Sequence, residues 1–381
     1  MGREESDFAY APESVKDEWN SLMEDISSAS SKVSKEKWGH FTPQFLDTES
    51  KNYDPSQTLK VAQERRQLYA EHKIDQQEGN VKIKTNMPIT IIPMGDIHWG
   101  SIFTNYELFE KHRNTILETP GLYTIFMHNL VDNGIPGKYP NNTLTNGVPP
   151  AEQFRTMQSY VKQLDEKGKV LGAVTSDCHE GWSWSVAGVD ASELLFGYKG
   201  RKFPIIENGG ILHLQVGKKN PEEYNLGLWH KQGPFNSRFN PEHALRQNRR
   251  LYHEGGTDIE IGAHYHNTSV SASYEGARDI QRVVNWIRVG TYKGVASGNE
   301  KGAVTDRWSV DKFGTSGNPP GVSVTLWSER HMVDNQIDFD TAVEKHMAIR
   351  TFALVNEMGL TDRLNALMNS QNSTTSKRRR S

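Results

Sequence analysis

Five short polar blocks, each at the end of an apolar, strand-like run, constrain this chain more than any other feature: Asp96-Ile97-His98, Asn129, Asp177-Cys178-His179-Glu180, His230 and His264-Tyr265-His266. The preceding runs read as strands from Ile89 to Met94, Tyr123 to Met127, Val170 to Thr175, Leu226 to Trp229 and Ile259 to Gly262. Helical stretches separate them, from Asn105 to Leu117, Ala151 to Lys167 and Pro241 to His253, and a further strand is expected from Ile211 to Val216. Such alternation predicts an α/β architecture of layered sheets and helices. In such folds ligand groups gather at the carboxyl ends of strands, where all five blocks fall.

The regions outside this pattern have another composition. Residues 1–85 are rich in Lys, Glu, Ser and Gln and too poor in apolar residues for a core of their own, so they read as a helical, partly disordered arm that packs on the main domain or on a protein partner. Within it, Ser56 to His72 is expected to form a helix capped by Ser56. The main domain is expected over residues 86–335, a helical segment over 336–368 and a disordered basic tail over 369–381, ending in Lys377-Arg378-Arg379-Arg380. Strands from Val283 to Val289 and Val322 to Trp327 flank a Gly-rich stretch, Gly290 to Gly321, expected to be a substrate-side or partner-side excursion, and a last helix is expected from Asp340 to Met358. With 381 residues the chain can bury a substantial core. Its mean hydropathy is −0.69, and no apolar run approaches the roughly 20 residues of a membrane span. One cysteine excludes an internal disulfide framework and fits a reducing cytoplasm. A net charge of −3 implies no chain-wide attraction to nucleic acid.

Carboxylate and imidazole together suit Zn, Fe or Mn better than Mg or Ca, which favour oxygen shells. Asp96 and His98, one residue apart where the backbone leaves a sheet, can turn into one cavity, and His264 and His266 repeat that spacing. At these residues the chain resembles the calcineurin-like metallophosphoesterases, whose pattern runs D-x-H, G-D-x-x-D, G-N-H-(D/E), a His, and G-H-x-H. The matching text is Gly95 to His98, His128 to Asp132, Asp177 to Glu180, His230, and Gly262 to His266, and the resemblance covers roughly residues 88 to 330. It implies an α/β/β/α sandwich, two divalent ions (Mn, Zn or Fe) and hydrolysis of a phosphate ester by in-line attack of a metal-bridged hydroxide. A phosphodiester is preferred, with a nucleotide or nucleic acid among the candidates. It further implies that Asp96, His98 and His266 hold the first ion, that His230 and His264 hold the second, that Asn129 stands at the bridging position, and that His179 assists the leaving oxygen with Glu180 as its orienter. A bacterial cell or a virus-infected host is the setting such proteins suggest.

The second block departs from the pattern. Asn129 replaces a carboxylate, and an amide, which carries no charge, bridges two cations poorly. Three readings follow: Asp177 or Cys178 supplies the anionic ligand instead; metal binding and turnover are weakened; or the domain is degenerate and works as a binding or structural component. Cys178 as a thiolate would favour zinc, although a single cysteine is more often a small buried residue. Trp99, Trp182 and Arg238 are candidate substrate contacts, weighed against sealing of the core and a solvated helix face.

Overall fold

The computed structural model describes residues 17–18, 20–25, 28, 55–72, 77–135, 143–231, 240–276, 281–294 and 319–360. The chain divides into two compact units, Met1–Ile74 and Asp75–Ser381. In the first, helix α1 spans Pro55–His72, so the expected helix starts one residue before Ser56, with Pro55 as its first residue, where a missing N–H costs nothing. No helix among the described residues is long and apolar enough to cross a membrane.

The second unit is built on two six-stranded sheets. One contains β2 (Ile89–Met94), β3 (Leu122–Phe126), β4 (Val170–Thr175) and β5 (Ile205–Glu207) in parallel, extended beyond β2 by antiparallel β11 (Ser323–Leu326) and β12 (Val333–Gln336). The other has the order β1 (Glu78–Ile83), β6 (Gly210–Val216), β7 (Glu222–Trp229), β8 (Ile259–Gly262), β10 (Arg282–Arg288), β9 (Ser269–Glu275). Within it β7, β8 and β10 run parallel to one another. Strand β1 pairs with β6 from Glu78↔Ile211 to Ile83↔Val216, so the sheet begins inside the stretch that the composition assigned to the arm. Alternation in Glu-Gly-Asn-Val-Lys-Ile is too polar to announce a strand, and β1 holds its place by pairing along β6.

Apolar side chains fill two layers. Ile89, Ile91, Ile125, Leu171, Val174 and Ile206 of the first sheet meet Leu212, Leu214, Leu226, Leu228, Ile259, Ile261 and Ile287 of the second. Burying such a side chain contributes about 1.5–3 kcal/mol, so this layer fixes how the sheets face. The opposite side of the first sheet is covered by α2 (Tyr106–Glu118) and α3 (Pro150–Glu166), through Phe109 and Ile116 of one and Phe154, Met157, Val161 and Leu164 of the other. Asn105 caps α2 by accepting the Leu108 N–H at 2.9 Å, worth about 1 kcal/mol. Helix α3 opens on Pro150. Two short helices, α4 (Trp182–Ala187) and α5 (Ala191–Phe196), follow β4. On the far side of the second sheet Leu245 of α6 (His243–Tyr252) packs on Val284 and Trp286. Helix α7 (Phe339–Glu357) buries Phe339, Ala342 and His346. The layering is α/β/β/α. The basic tail and most of the Gly-rich stretch, residues 295–318, lie outside the described residues.

Candidate metal centre

All five blocks reach the same edge of the sandwich, because β2, β3 and β4 of one sheet and β7, β8 and β10 of the other present their carboxyl ends there. Pairing continues past the strands: Asp96 N–H donates to the His128 carbonyl at 3.1 Å and His98 N–H to that of Asn129 at 2.9 Å. The backbone then turns through the left-handed region at Asp96, His98, His128, Asn129, Asn133, His264 and His266, seven of the nine non-glycine residues with positive φ among the described ones. Each such residue carries strain on the order of 1–3 kcal/mol, held by the packing around it. Gly95 is required at the seam. A Cβ there would lie 2.8 Å from Met127 Cβ and 3.3 Å from Ala263 Cβ, where the ends of β2, β3 and β8 meet.

The first group forms around one carboxylate oxygen. Asp96 Oδ1 lies 3.8 Å from His98 Nε2, 3.9 Å from His230 Nε2 and 3.7 Å from His266 Nε2, all four side chains being buried. Burial pushes the Asp96 carboxyl upward, but His230, His266 and His98 together hold it well below the ordinary carboxylate value. His98 donates Nδ1–H to Asp132 Oδ1 at 3.0 Å, which leaves Nε2 with its lone pair facing His266 Nε2 at 3.2 Å. Two imidazole nitrogens bound to one tetrahedral ion at roughly 2.0–2.1 Å stand roughly 3.3 Å apart, so this separation suits a shared divalent ion. A carboxylate behind a histidine that faces an ion orients the ring and raises its basicity. Burial, and then Lys293, hold the His98 ring neutral.

The second group comprises Cys178, His230 and His264, whose candidate ligand atoms all lie within 4.8 Å of one another. His230 donates Nδ1–H to the Met127 carbonyl at 2.6 Å, and its Nε2 has no hydrogen-bond partner. Cys178 Sγ is 3.6 Å from His264 Nδ1. The His264 backbone N–H donates to Asp96 Oδ2 at 2.6 Å, tying the second sheet to the aspartate of the first. Burial lowers the His264 imidazole to about 3 and pushes the Cys178 thiol up to about 12.

Other residues of the blocks fall less simply. Asn129 donates from Nδ2 to Asp96 Oδ1 at 2.9 Å, and its buried Oδ1 has no partner. Asp177 is not brought in: its side chain is 75% exposed, its Oδ1 lies 3.4 Å from Lys231 Nζ, and it joins no compact ligand group. Glu180 does not orient His179. It is buried and accepts the N–H groups of Asn129, at 3.1 Å, Leu130 and Val131, with His128 Nε2 3.0 Å away, so it clamps the turn carrying Asn129. Burial raises its carboxyl to about 8 against the downward pull of those N–H groups. His179 is placed instead by Asp132 and Trp182: Nδ1–H donates to the Asp132 carbonyl at 2.5 Å, and the ring stacks on Trp182 at 4.0 Å between centroids. Its ring also meets that of His98 at 4.4 Å. Burial, and then His98, hold its charged form well down.

Asp132 and Lys293 are the residues that motif reading passed over. Asp132 Oδ1 joins His98 Nδ1 to Lys293 Nζ, 2.8 Å away, and lies 3.8 Å from His179 Nδ1. Asp132 closes the second block, and that position was its signal; Lys293, in the Gly-rich stretch, had none. Trp99 packs edge-on against Tyr106 and Tyr160 at 5.8 and 6.4 Å, as a seal of the core. Arg246 is engaged by Glu242 and Glu275, and Arg249 by the carbonyls of Gly255 and Thr257. Arg238 lies outside the described residues.

With sandwich and site in view, the chain resembles the calcineurin-like metallophosphoesterases in layering and in the order of its ligand blocks. No family profile and no curated protein matches it. Among solved structures it is similar to Vps29 complexed with zinc from Entamoeba histolytica, at 14% identity over 66% of this chain and 99% of that one, TM-score 0.29. It is also similar to a conserved protein from Streptococcus pneumoniae described as a predicted phosphoesterase, at 12% identity over 66% and 91%, TM-score 0.29. At that distance neither likeness bears on the chemistry.

Proposed function

We propose that this chain is a metal-dependent phosphoesterase that acts on a phosphate ester, a phosphodiester by preference, with two divalent ions of the Mn, Zn or Fe class at the edge where the sheets meet. One observation carries the reading: imidazole nitrogens from three strand ends surround a single buried carboxylate oxygen at 3.7 to 3.9 Å. The donor set fits such ions, since His230 Nε2 and Asn129 Oδ1 are buried without partners and His98 Nε2 faces His266 Nε2 rather than a hydrogen-bond donor of another kind. Bound there, divalent ions supply Lewis acidity toward a phosphoryl oxygen and make a water acidic enough to attack phosphorus near neutral pH.

The chain's own groups supply the rest. Asp96 and the histidines set the positions of the ions. Asp132 fixes His98 through its carboxylate and His179 through its carbonyl, so one residue aligns a metal ligand with the group beside the leaving oxygen. Because Nδ1 of His179 faces a carbonyl, that nitrogen keeps its proton, and Nε2 can donate to a leaving oxygen only as the imidazolium, a form that burial and His98 hold down in the free site. The Asp132 carboxylate, 3.8 Å from Nδ1, favours that charged form when substrate charge enters the site. Metal analysis with hydrolysis of a nitrophenyl diester tests the reading. Close to two ions per chain, with turnover lowered about 10²–10⁴-fold by His179→Ala, is the expected result; a metal-free, inert protein refutes it.

Asn129 favours a second reading, a binding or structural protein on the same fold, since the bridging position carries an amide that donates to Asp96. Asn129→Asp tests what the amide does, and a protein that is inert both before and after the change supports the second reading. A large rise in manganese-dependent turnover supports a centre that the amide has weakened, and an unchanged rate supports a centre that draws its negative charge from elsewhere.

A further inference from the structure

We propose that Cys178, as a thiolate, is an anionic ligand in a Cys178/His230/His264 site for an ion of the zinc class, and that it replaces the charge missing at Asn129. This rests on the two-ion reading above and specifies the chemistry of its second half.

Distances come first. A sulfur at roughly 2.3 Å and a nitrogen at roughly 2.0–2.1 Å from one tetrahedral ion stand roughly 3.6 Å apart. Cys178 Sγ and His264 Nδ1 are 3.6 Å apart. An independent observation comes from His230, whose ring is fully buried. Donation from Nδ1 to the Met127 carbonyl assigns the lone pair to Nε2, and no donor reaches it. A buried lone pair left without a partner costs free energy, and coordination satisfies it. A thiol that merely filled the core would be expected among apolar groups, whereas this sulfur shares its group with two imidazole nitrogens.

Asp96 is shared with the first group, and among the described residues of the ligand blocks no further carboxylate is free to supply the charge. Asp177 turns to solvent and Lys231, and Glu180 is engaged by three backbone N–H groups. On binding, the S–H bond breaks, its proton leaves to solvent, and the sulfur electron pair forms the bond to the ion, with no change in oxidation state. Thiolate with two imidazoles is a soft set that selects zinc, or cobalt as its spectroscopic substitute, over manganese and magnesium. The Asp96/His98/His266 group, with its carboxylate, is the more tolerant of manganese. The proposal therefore predicts a centre that prefers two different metals in its two halves.

Cobalt loading of the metal-free full chain tests it without a substitution. Two equivalents with a near-ultraviolet sulfur-to-cobalt charge-transfer band are expected. Cys178→Ser should lose the band and one equivalent, and Cys178→Asp should regain the equivalent without the band. Two equivalents without the band in the unsubstituted protein overturn the thiolate ligand and leave the phosphoesterase reading standing. Uptake of no cobalt overturns both. Should Cys178→Ser fail to fold, alkylation of the unsubstituted protein decides: Cys178 protected by zinc and released by a chelator is expected, and equal labelling in both states refutes the assignment.

Discussion

The Asp96/His98/His266 group and the Cys178/His230/His264 group sit at the same edge of the sandwich, yet the first is aligned by side-chain carboxylates and the second by the backbone. Asp132 holds His98 and is balanced by Lys293, while His230 leans on the Met127 carbonyl and His264 is placed by its own N–H on Asp96. The first group thus carries its negative charge before any ion arrives, whereas the second gains it only as a thiol gives up a proton. Asp96 belongs to the first and serves both, since His230 Nε2 lies 3.9 Å from its Oδ1.

That shared role makes Asp96 the strongest lever on the contrast. Asp96→Ala is expected to remove both ions and all hydrolysis, as read by metal content per chain; loss of only one ion would show the groups to be independent. Next comes His179→Ala, at a residue that belongs to neither group although its ring meets that of His98. Turnover of a nitrophenyl diester should fall about 10²–10⁴-fold, the usual contribution of a proton-transferring group, with two ions retained.

Asp132→Asn separates the halves. Without its carboxylate behind His98, the first ion should bind about 10–100-fold more weakly, while the cobalt–sulfur band of the second stays. Equal weakening of both would mean that Asp132 supports the whole edge. A smaller effect concerns pH. Burial pushes the Cys178 thiol up to about 12, so an ion entering the second group displaces a proton throughout the neutral range. Its affinity should rise about tenfold per pH unit from pH 6 to 8. The first group offers no such proton from Asp96, held low by its histidines, or from His98, held neutral by burial. Chelator competition across that range measures the two slopes, and parallel slopes would erase the distinction.

Much of the framework was legible in the residues. Strands β2, β4 and β8 run over the residues that apolar patterning indicates, because near-continuous runs of Ile, Val and Leu mark strands buried on both faces. Strands β1, β9 and β12 were not visible, since their Lys, Ser, Asn and Glu half-exposed alternation gains stability only by pairing with a neighbour. The D-x-H and H-x-H blocks indicated that Asp96, His98, His264 and His266 belong together, because one-residue spacing at a strand end turns both side chains one way. Glu180 was misread for a related reason: adjacency to His179 suggested contact, but the turn directs its carboxylate back to the N–H groups of residues 129–131.

Apolar patterning by itself determined the alternation of strands and helices and the placement of the polar blocks at strand ends, because both are local properties of the chain, while the sandwich was what the resemblance carried by those blocks implied. Which groups meet was decided only by the tertiary structure. Two sheets must close on Gly95 before His264 reaches Asp96 and Cys178. Contacts between residues 86 or 168 positions apart follow from that closure, which no spacing in the sequence encodes.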